Sequence, residues 1–214
     1  MPSDAPLLAF DTSAAHCAAA LLWRGKIVAS VREEMSKGQA ERLMPLLAGM
    51  LAGAGLGWRD LGAVAVGIGP GNFTGIRIAV SAARGLALGL GKPAIGVSQF
   101  EALALGLPRP LIVAEDARRG AVYVQGFGAP PHKAALLMLA EAAPLALGRP
   151  VVGSAAEMFA AAEILRPMYP LADAIALVAA GRSGAHPSPA PFYLRAADAS
   201  PPSDPPPVIL DAGP

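Results

Sequence analysis

Ala63-Val64-Ala65-Val66-Gly67-Ile68-Gly69-Pro70-Gly71-Asn72-Phe73-Thr74-Gly75-Ile76-Arg77 runs from a short apolar segment into a glycine-rich loop, then into a long helical pattern ending near Gly91. A short apolar run closed by glycines reads as a buried strand, and apolar residues recurring three and four apart read as a helix. Strand, glycine loop, helix is the unit from which the rest of the chain can be placed. Closely spaced glycines before a helix let backbone N–H groups approach an anion. They equally permit a sharp turn, stiffened by Pro70 and capped by Asn72 or Thr74. The loop has no Walker lysine and is not GxGxxG, so its bare chemistry stays open between these readings.

Toward the N-terminus, residues 7–11 form an apolar strand ending in Asp11-Thr12-Ser13, residues 17–23 a second, and residues 27–33 a third after the reversal at Arg24-Gly25-Lys26. These predict an antiparallel meander. Leu43, Leu46, Leu47, Met50 and Leu51 then recur at helical spacing from Glu41, with Pro45 expected in the first turn, where it is tolerated. On the other side of the glycine unit, Lys92-Pro93 breaks the helix, residues 94–97 give a strand and 99–105 a short helix. Three strands, helix, strand, helix, strand, helix is the order of one ribonuclease-H-like lobe. It restarts after Pro108 and Pro110, with strands at 111–116 and 121–127 around Asp116-Ala117-Arg118-Arg119-Gly120. Pro130, Pro131, Pro144 and Pro150 interrupt the copy, leaving a strand at 151–153 and helical stretches at 155–165 and 171–180. The expected fold is α/β: two ribonuclease-H-like lobes, each a mixed sheet flanked by helices, the second degenerate. The lobes are expected at 1–106 and 107–195, with an extended Pro-rich tail at 196–214.

The chain has 214 residues, 54% hydrophobic and 15% charged, enough apolar surface for a sizeable core. A net charge of +1 lacks the basic excess that holds nucleic acid unaided, so any RNA contact is expected through a partner. Residues 43–58 are uncharged but are broken by Pro45 and glycines, short of a membrane span. With one cysteine and no basic segment before the first strand, a soluble cytoplasmic protein is expected. His16, His132 and His186 have no paired spacing, so no metal site is expected. Cys17 lies mid-strand among alanines and reads as packing, and no GxSxG elbow is present. Asp11-Thr12-Ser13 could hold a metal or phosphate, or seal a turn by side chain to backbone bonds.

The helix after the glycine loop carries two apolar stripes. Ile76, Ala79, Val80, Ala83, Leu86, Ala87 and Leu90 suffice to dock it on a sheet. Ile78, Ala82, Gly85 and Gly89 form a second stripe of mostly small residues that would let another backbone approach closely. Such a helix is either enclosed by its own chain or shared with a partner.

Asp11-Thr12-Ser13, Ala40-Glu41-Arg42-Leu43, the loop from Gly69 to Arg77, Ala94-Ile95-Gly96-Val97-Ser98, Asp116-Ala117-Arg118-Arg119 with Val122-Tyr123, and Pro191-Phe192-Tyr193-Leu194-Arg195 together resemble the TsaB (YeaZ) family of the actin, sugar kinase and Hsp70-like superfamily. The match is dense in the first half and thin beyond it. Gln39 departs from a histidine common in that family. In the related catalytic subunit TsaD, the equivalent of the 94–97 strand is followed by a His-x-x-x-His metal motif. Those positions align with Gln99 and Leu103 here, and a leucine cannot ligate a metal. The resemblance therefore implies a non-catalytic scaffold without cofactor, in the machinery that makes threonylcarbamoyladenosine in tRNA. It would bind a TsaD-type subunit, help recruit a TsaE-type ATPase, and meet tRNA only through the complex. The implied contact surface is Ile78, Ala82, Gly85 and Gly89 with Leu43, Leu47 and Met50, which could also support a homodimer. Asp11, Thr12, Ser13, Gly69, Gly71, Asn72, Thr74 and Gly75 would be a vestigial phosphate site. The competing reading is a working phosphotransferase or ATPase of the same superfamily, using Asp11 and the glycine loop around a magnesium nucleotide.

Overall fold

Two five-stranded sheets with the same internal order carry the chain in a computed structural model that describes residues 5–160, 162–184 and 186–195. The first sheet comprises β1 (Leu7–Asp11), β2 (His16–Trp23), β3 (Lys26–Glu34), β4 (Ala63–Gly67) and β5 (Ala94–Val97), in the order β3-β2-β1-β4-β5. The meander β1-β2-β3 is antiparallel, and β4 and β5 add in parallel beside β1. Helix α1 (Gln39–Gly53) connects β3 to β4, α2 (Phe73–Leu90) connects β4 to β5, and α3 (Gln99–Ala104) follows β5. Every residue of β1 and β4 is buried, as expected of central strands covered on both faces.

The second sheet repeats the plan with β6 (Leu111–Asp116), β7 (Ala121–Phe127), β8 (His132–Met138), β9 (Val151–Val152) and β10 (Ile164–Leu165), in the order β10-β9-β6-β7-β8. Helix α4 (Leu139–Ala142) follows β8, and α5 (Leu171–Ala180) follows β10. The two-lobed α/β fold expected from the sequence is present, and the duplication extends to single atoms. At the end of β1 the Ser13 N–H donates to Asp11 Oδ1 at 2.8 Å, and at the end of β6 the Arg118 N–H donates to Asp116 Oδ1 at 2.7 Å. Both are Asx turns at equivalent places.

The lobes exchange their last helices. The outer face of the first sheet (Leu8, Phe10, Cys17, Leu21, Val64, Val66) is covered by α1 and α2. Its inner face (Leu7, Ala9, Ala18, Ala65, Ile95) is covered by α5, through Ala172, Ile175, Ala176 and Ala179. Reciprocally, α3 leaves the first sheet to place Phe100, Leu103 and Ala104 on Leu111, Val113, Tyr123 and Val152 of the second. An ion pair between Arg182 and Glu101 ties the two helices together. Helix 171–180, expected within the second lobe at 107–195, thus lies on the first sheet. Its alanine-rich surface lets it approach a β1–β2 face that is itself mostly alanine and leucine.

Two other expectations change. Helix α1 begins at Gln39, with the Arg42 N–H donating to Gly38 O, so Pro45 lies inside the helix and not in its first turn. Its ring leaves the Glu41 carbonyl without an i+4 donor. The helix expected at 155–165 is a 3-10 turn at Ala156–Met158 followed by β10. Strand β8 carries no alternating pattern, since Ala134, Ala135, Leu136 and Leu137 are all apolar, and its pairing with β7 decides its state. Near the end of the described residues, Phe192 and Leu194 pack on the inner cluster of the second lobe. The tail at 196–214 lies outside the described residues.

Candidate functional site

A cleft of about 1380 Å³ lies between the lobes, bordered by Ser13, Asn72 and Thr74 on one side and by Glu115, Arg118 and Ser154 on the other. Of the residues singled out for phosphate, Ser13, Gly71, Asn72, Thr74 and Gly75 line the cleft while Asp11, Thr12 and Gly69 are buried beside them, and several are occupied with one another. Asp11, 2% exposed, accepts through Oδ1 from the Ser13 N–H and the Ser13 hydroxyl, both at 2.8 Å, and lies 2.9 Å from His16 Nε2. The Thr12 hydroxyl donates to Gly75 O at 2.7 Å, and the Asn72 N–H donates to Ser13 O at 2.7 Å. Asn72 caps α2 by accepting from the Gly75 N–H at 2.9 Å.

The glycines have a packing explanation. A β-carbon on Gly67 would lie 1.9 Å from Asp11 Oδ2, on Gly71 2.5 Å from Ser13 O, and on Gly75 1.9 Å from Thr12 O. Gly69, with φ +98°, is also crowded, by Ile76. The turn after β1 sits directly on the loop after β4, and only glycine permits that approach. Thr74 is exposed at the cleft.

His16 was set aside in the sequence as an isolated histidine, yet it is 2% exposed and held by Asp11. Antiparallel pairing of β1 with β2 turns its side chain to the face that carries Asp11, a placement the meander itself could have revealed. Its Nδ1 has no hydrogen-bond partner among the described residues. The residues aligned with a metal motif have structural work instead. Gln99 Nε2 donates to Glu115 Oε2 at 2.8 Å across the lobes, and Leu103 is in the second-lobe cluster. Gln39 donates to Met35 O at 3.1 Å, closing the β3–α1 corner. Among the described residues no three His, Cys, Asp or Glu side chains are grouped as a metal site requires.

Burial pushes the Glu115 carboxyl above its ordinary value and nearby Asp116 adds to this, against hydrogen bonds from the Ser154 N–H and hydroxyl that pull it down. A carboxyl whose folded value is raised binds its proton more tightly folded than unfolded. Its contribution to stability is complete below the unfolded value of about 4.3 and is lost as pH rises through the raised folded value. Glu115→Gln should remove that component: the stability of the variant relative to the parent rises with pH across this window, read by urea unfolding at several pH values.

A second feature lies on the outer side of the first lobe. Met44, Trp58, Ala82, Gly85, Leu86, Gly89 and Leu90 line an apolar groove of about 480 Å³. On α2 the inner stripe Ile76, Ala79, Val80 and Ala83 is buried, while Gly85 and Gly89 are exposed and Leu88 is 87% exposed. Helix α2 has the length and hydropathy to cross a membrane, but its buried stripe docks it on the first sheet.

Four of the expected contact residues lie outside the groove. Leu43 and Leu47 are 1% and 0% exposed in the first-lobe core, so they anchor α1 and are not available to a partner. Met44, rotated outward, takes their place in the groove. Ile78 borders the interlobe cleft and not the groove, and Met50 is partly buried against the core. Leu47→Ala should cost about 2–5 kcal/mol in urea unfolding, as a buried truncation does, and leave any surface contact unaltered once folded.

The family model described as TsaD, tRNA N6-adenosine threonylcarbamoyltransferase, matches residues 26–129. The tRNA threonylcarbamoyladenosine biosynthesis protein TsaB of Haemophilus influenzae is 38% identical over 122 residues, covering 55% of this chain and 51% of that protein. Its namesake in Escherichia coli is also 38% identical over 122 residues, covering 55% and 52%. The chain thus spans about half the length of the curated relatives it matches. Agreement in three dimensions reaches further: the structure of YeaZ from Pseudomonas aeruginosa superposes with a TM-score of 0.64 at 30% identity, covering 81% of this chain and 90% of that one. With the duplicated sheets and the glycine loop packed on Asp11-Thr12-Ser13, that coverage shows that the chain belongs to the TsaB/YeaZ family.

Proposed function

We propose that the chain is a non-catalytic scaffold in the formation of N6-threonylcarbamoyladenosine in tRNA, binding and activating a TsaD-type catalytic subunit and helping to recruit a TsaE-type ATPase. The observation that carries this reading is the groove on α2: small residues Ala82, Gly85 and Gly89 at the surface, flanked by Met44, Trp58, Leu86 and Leu90. An exposed apolar groove floored by glycine and alanine fits a helix approaching backbone to backbone. The names of the relatives supply the pathway, and the family model supplies the kind of partner.

The Asp11–Ser13 turn and the glycine loop satisfy one another, which supports a fold kept for its shape. In this reading the partner-binding lobe is residues 1–106 completed by α5, tRNA is met through the complex, and the same groove accommodates a second copy of the chain when the catalytic subunit is absent. Mixing the purified chain with a TsaD-type subunit on a sizing column tests it: a scaffold shifts to a larger species at equimolar ratio. Separate elution at micromolar concentrations would remove the proposal.

A further inference from the structure

Beyond α5 the chain turns back over the first lobe, with Pro189 against Gly96, and the Phe192 N–H donates to Ile68 O at 2.8 Å. From there successive side chains turn to opposite sides. Phe192 and Leu194 enter the inner cluster of the second lobe, Phe192 meeting Phe100 edge-on with ring centroids 6.4 Å apart. Tyr193 turns the other way and stacks on Phe73, the first residue of α2, at 4.4 Å. Its hydroxyl accepts from Arg77 Nε at 3.1 Å, and the same guanidinium lies 4.0 Å over the Phe73 ring. Arg195 completes the crossing by donating to Ala117 O, in the turn after β6, at 3.0 Å.

We infer that Phe192–Arg195 is a latch between the lobes: one segment gripped by α2 on one side and by the second lobe on the other, whose release lets the cleft open and loosens the loop from Gly69 to Gly75. The exchanged helices α3 and α5 already join the lobes, and a single junction leaves rotation about itself free. A second tie at a different place removes that freedom. Its grips on the two sides are of a releasable kind. Tyr193 is 39% exposed, and both arginines bond to neutral oxygens and not to carboxylates.

The test uses the full chain with spin labels at Lys37→Cys and Glu157→Cys, exposed positions on opposite lobes, the native Cys17 being fully buried. Tyr193→Ala with Arg195→Ala should lengthen and broaden the distance between labels. It should also speed hydrogen exchange at the amides of residues 69–77 by about ten-fold or more, with exchange in β1 unchanged. Tyr193→Phe, which keeps the stack, should stay near the parent. If the double variant does not fold, Tyr193→Ala alone removes the stack on Phe73 from a position 39% exposed and is read the same way. Unchanged distance and loop exchange in a folded variant, or a rise in exchange that includes β1, would overturn the latch.

Discussion

Gly75→Ala should destabilise the chain by more than about 3 kcal/mol, a large cost for one methyl group. The added carbon would lie 1.9 Å from the Thr12 carbonyl oxygen and 2.9 Å from its carbon. Both are backbone atoms, so no rotamer change can relieve the contact. Thr12 is further pinned by its own hydroxyl bond to Gly75 O. Relief requires the turn after β1 to lift off the loop after β4, which breaks the Asn72 to Ser13 hydrogen bond and disturbs the Asp11–Ser13 turn. The control lies in the same helix. Gly85 and Gly89 have nothing within 4 Å of a β-carbon, so Gly85→Ala and Gly89→Ala should raise stability by about 0.5–1 kcal/mol, the ordinary gain in a helix interior. Urea midpoints of the three variants would show opposite signs along one helix. A Gly75→Ala change within about 0.5 kcal/mol of the parent would mean that the two turns are not locked together.

Ala82→Arg is expected to weaken association with a TsaD-type subunit by about 100-fold or more, while shifting the stability of the isolated chain by no more than about 0.5 kcal/mol. Ala82 lies in the groove with Gly85 and Gly89, and arginine is a good helix former that can extend into solvent when the chain is alone. In the complex its charge would have to be desolvated where a backbone must approach, without a partner for it. Gly85→Ala sharpens the test because its two effects oppose: a more stable free chain and a weaker complex, measured by thermal unfolding and by titration calorimetry. If Ala82→Arg binds like the parent, the partner does not use this groove.

Much of the first lobe was legible because its elements carry their own local signals. The period-two and fully apolar strands, the asparagine cap before α2 and the serine cap before α3 are all written in neighbouring residues. The second lobe was less so. β9 and β10 are two residues each, too short for any period to register, and they exist through pairing with β6 and with each other. Arg118 and Arg119 adopt left-handed φ values of 63° and 54° that no sequence rule assigns to arginine; the Asp116 carboxylate and the β6–β7 pairing impose them. The small-residue stripe on α2 was visible, but its neighbours Met44 and Trp58 come from elsewhere in the chain. Leu43 and Leu47 were misplaced because a helical stripe names a face without saying what covers it. His16 needed the register of β1 on β2 before its link to Asp11 could be seen.

The exchanged helices α3 and α5 set the order in which the chain can mature. Every strand of the first sheet has been synthesised once Val97 is made, yet the inner wall at Leu7, Ala9, Ala18 and Ile95 stays uncovered until α5 has been synthesised as far as Ala180. At about 5–20 residues per second this is a wait of several seconds. During it the nascent N-terminal half presents a bare apolar sheet face, a ready client for a holding chaperone, and a stop codon anywhere before residue 171 would leave that face bare for good.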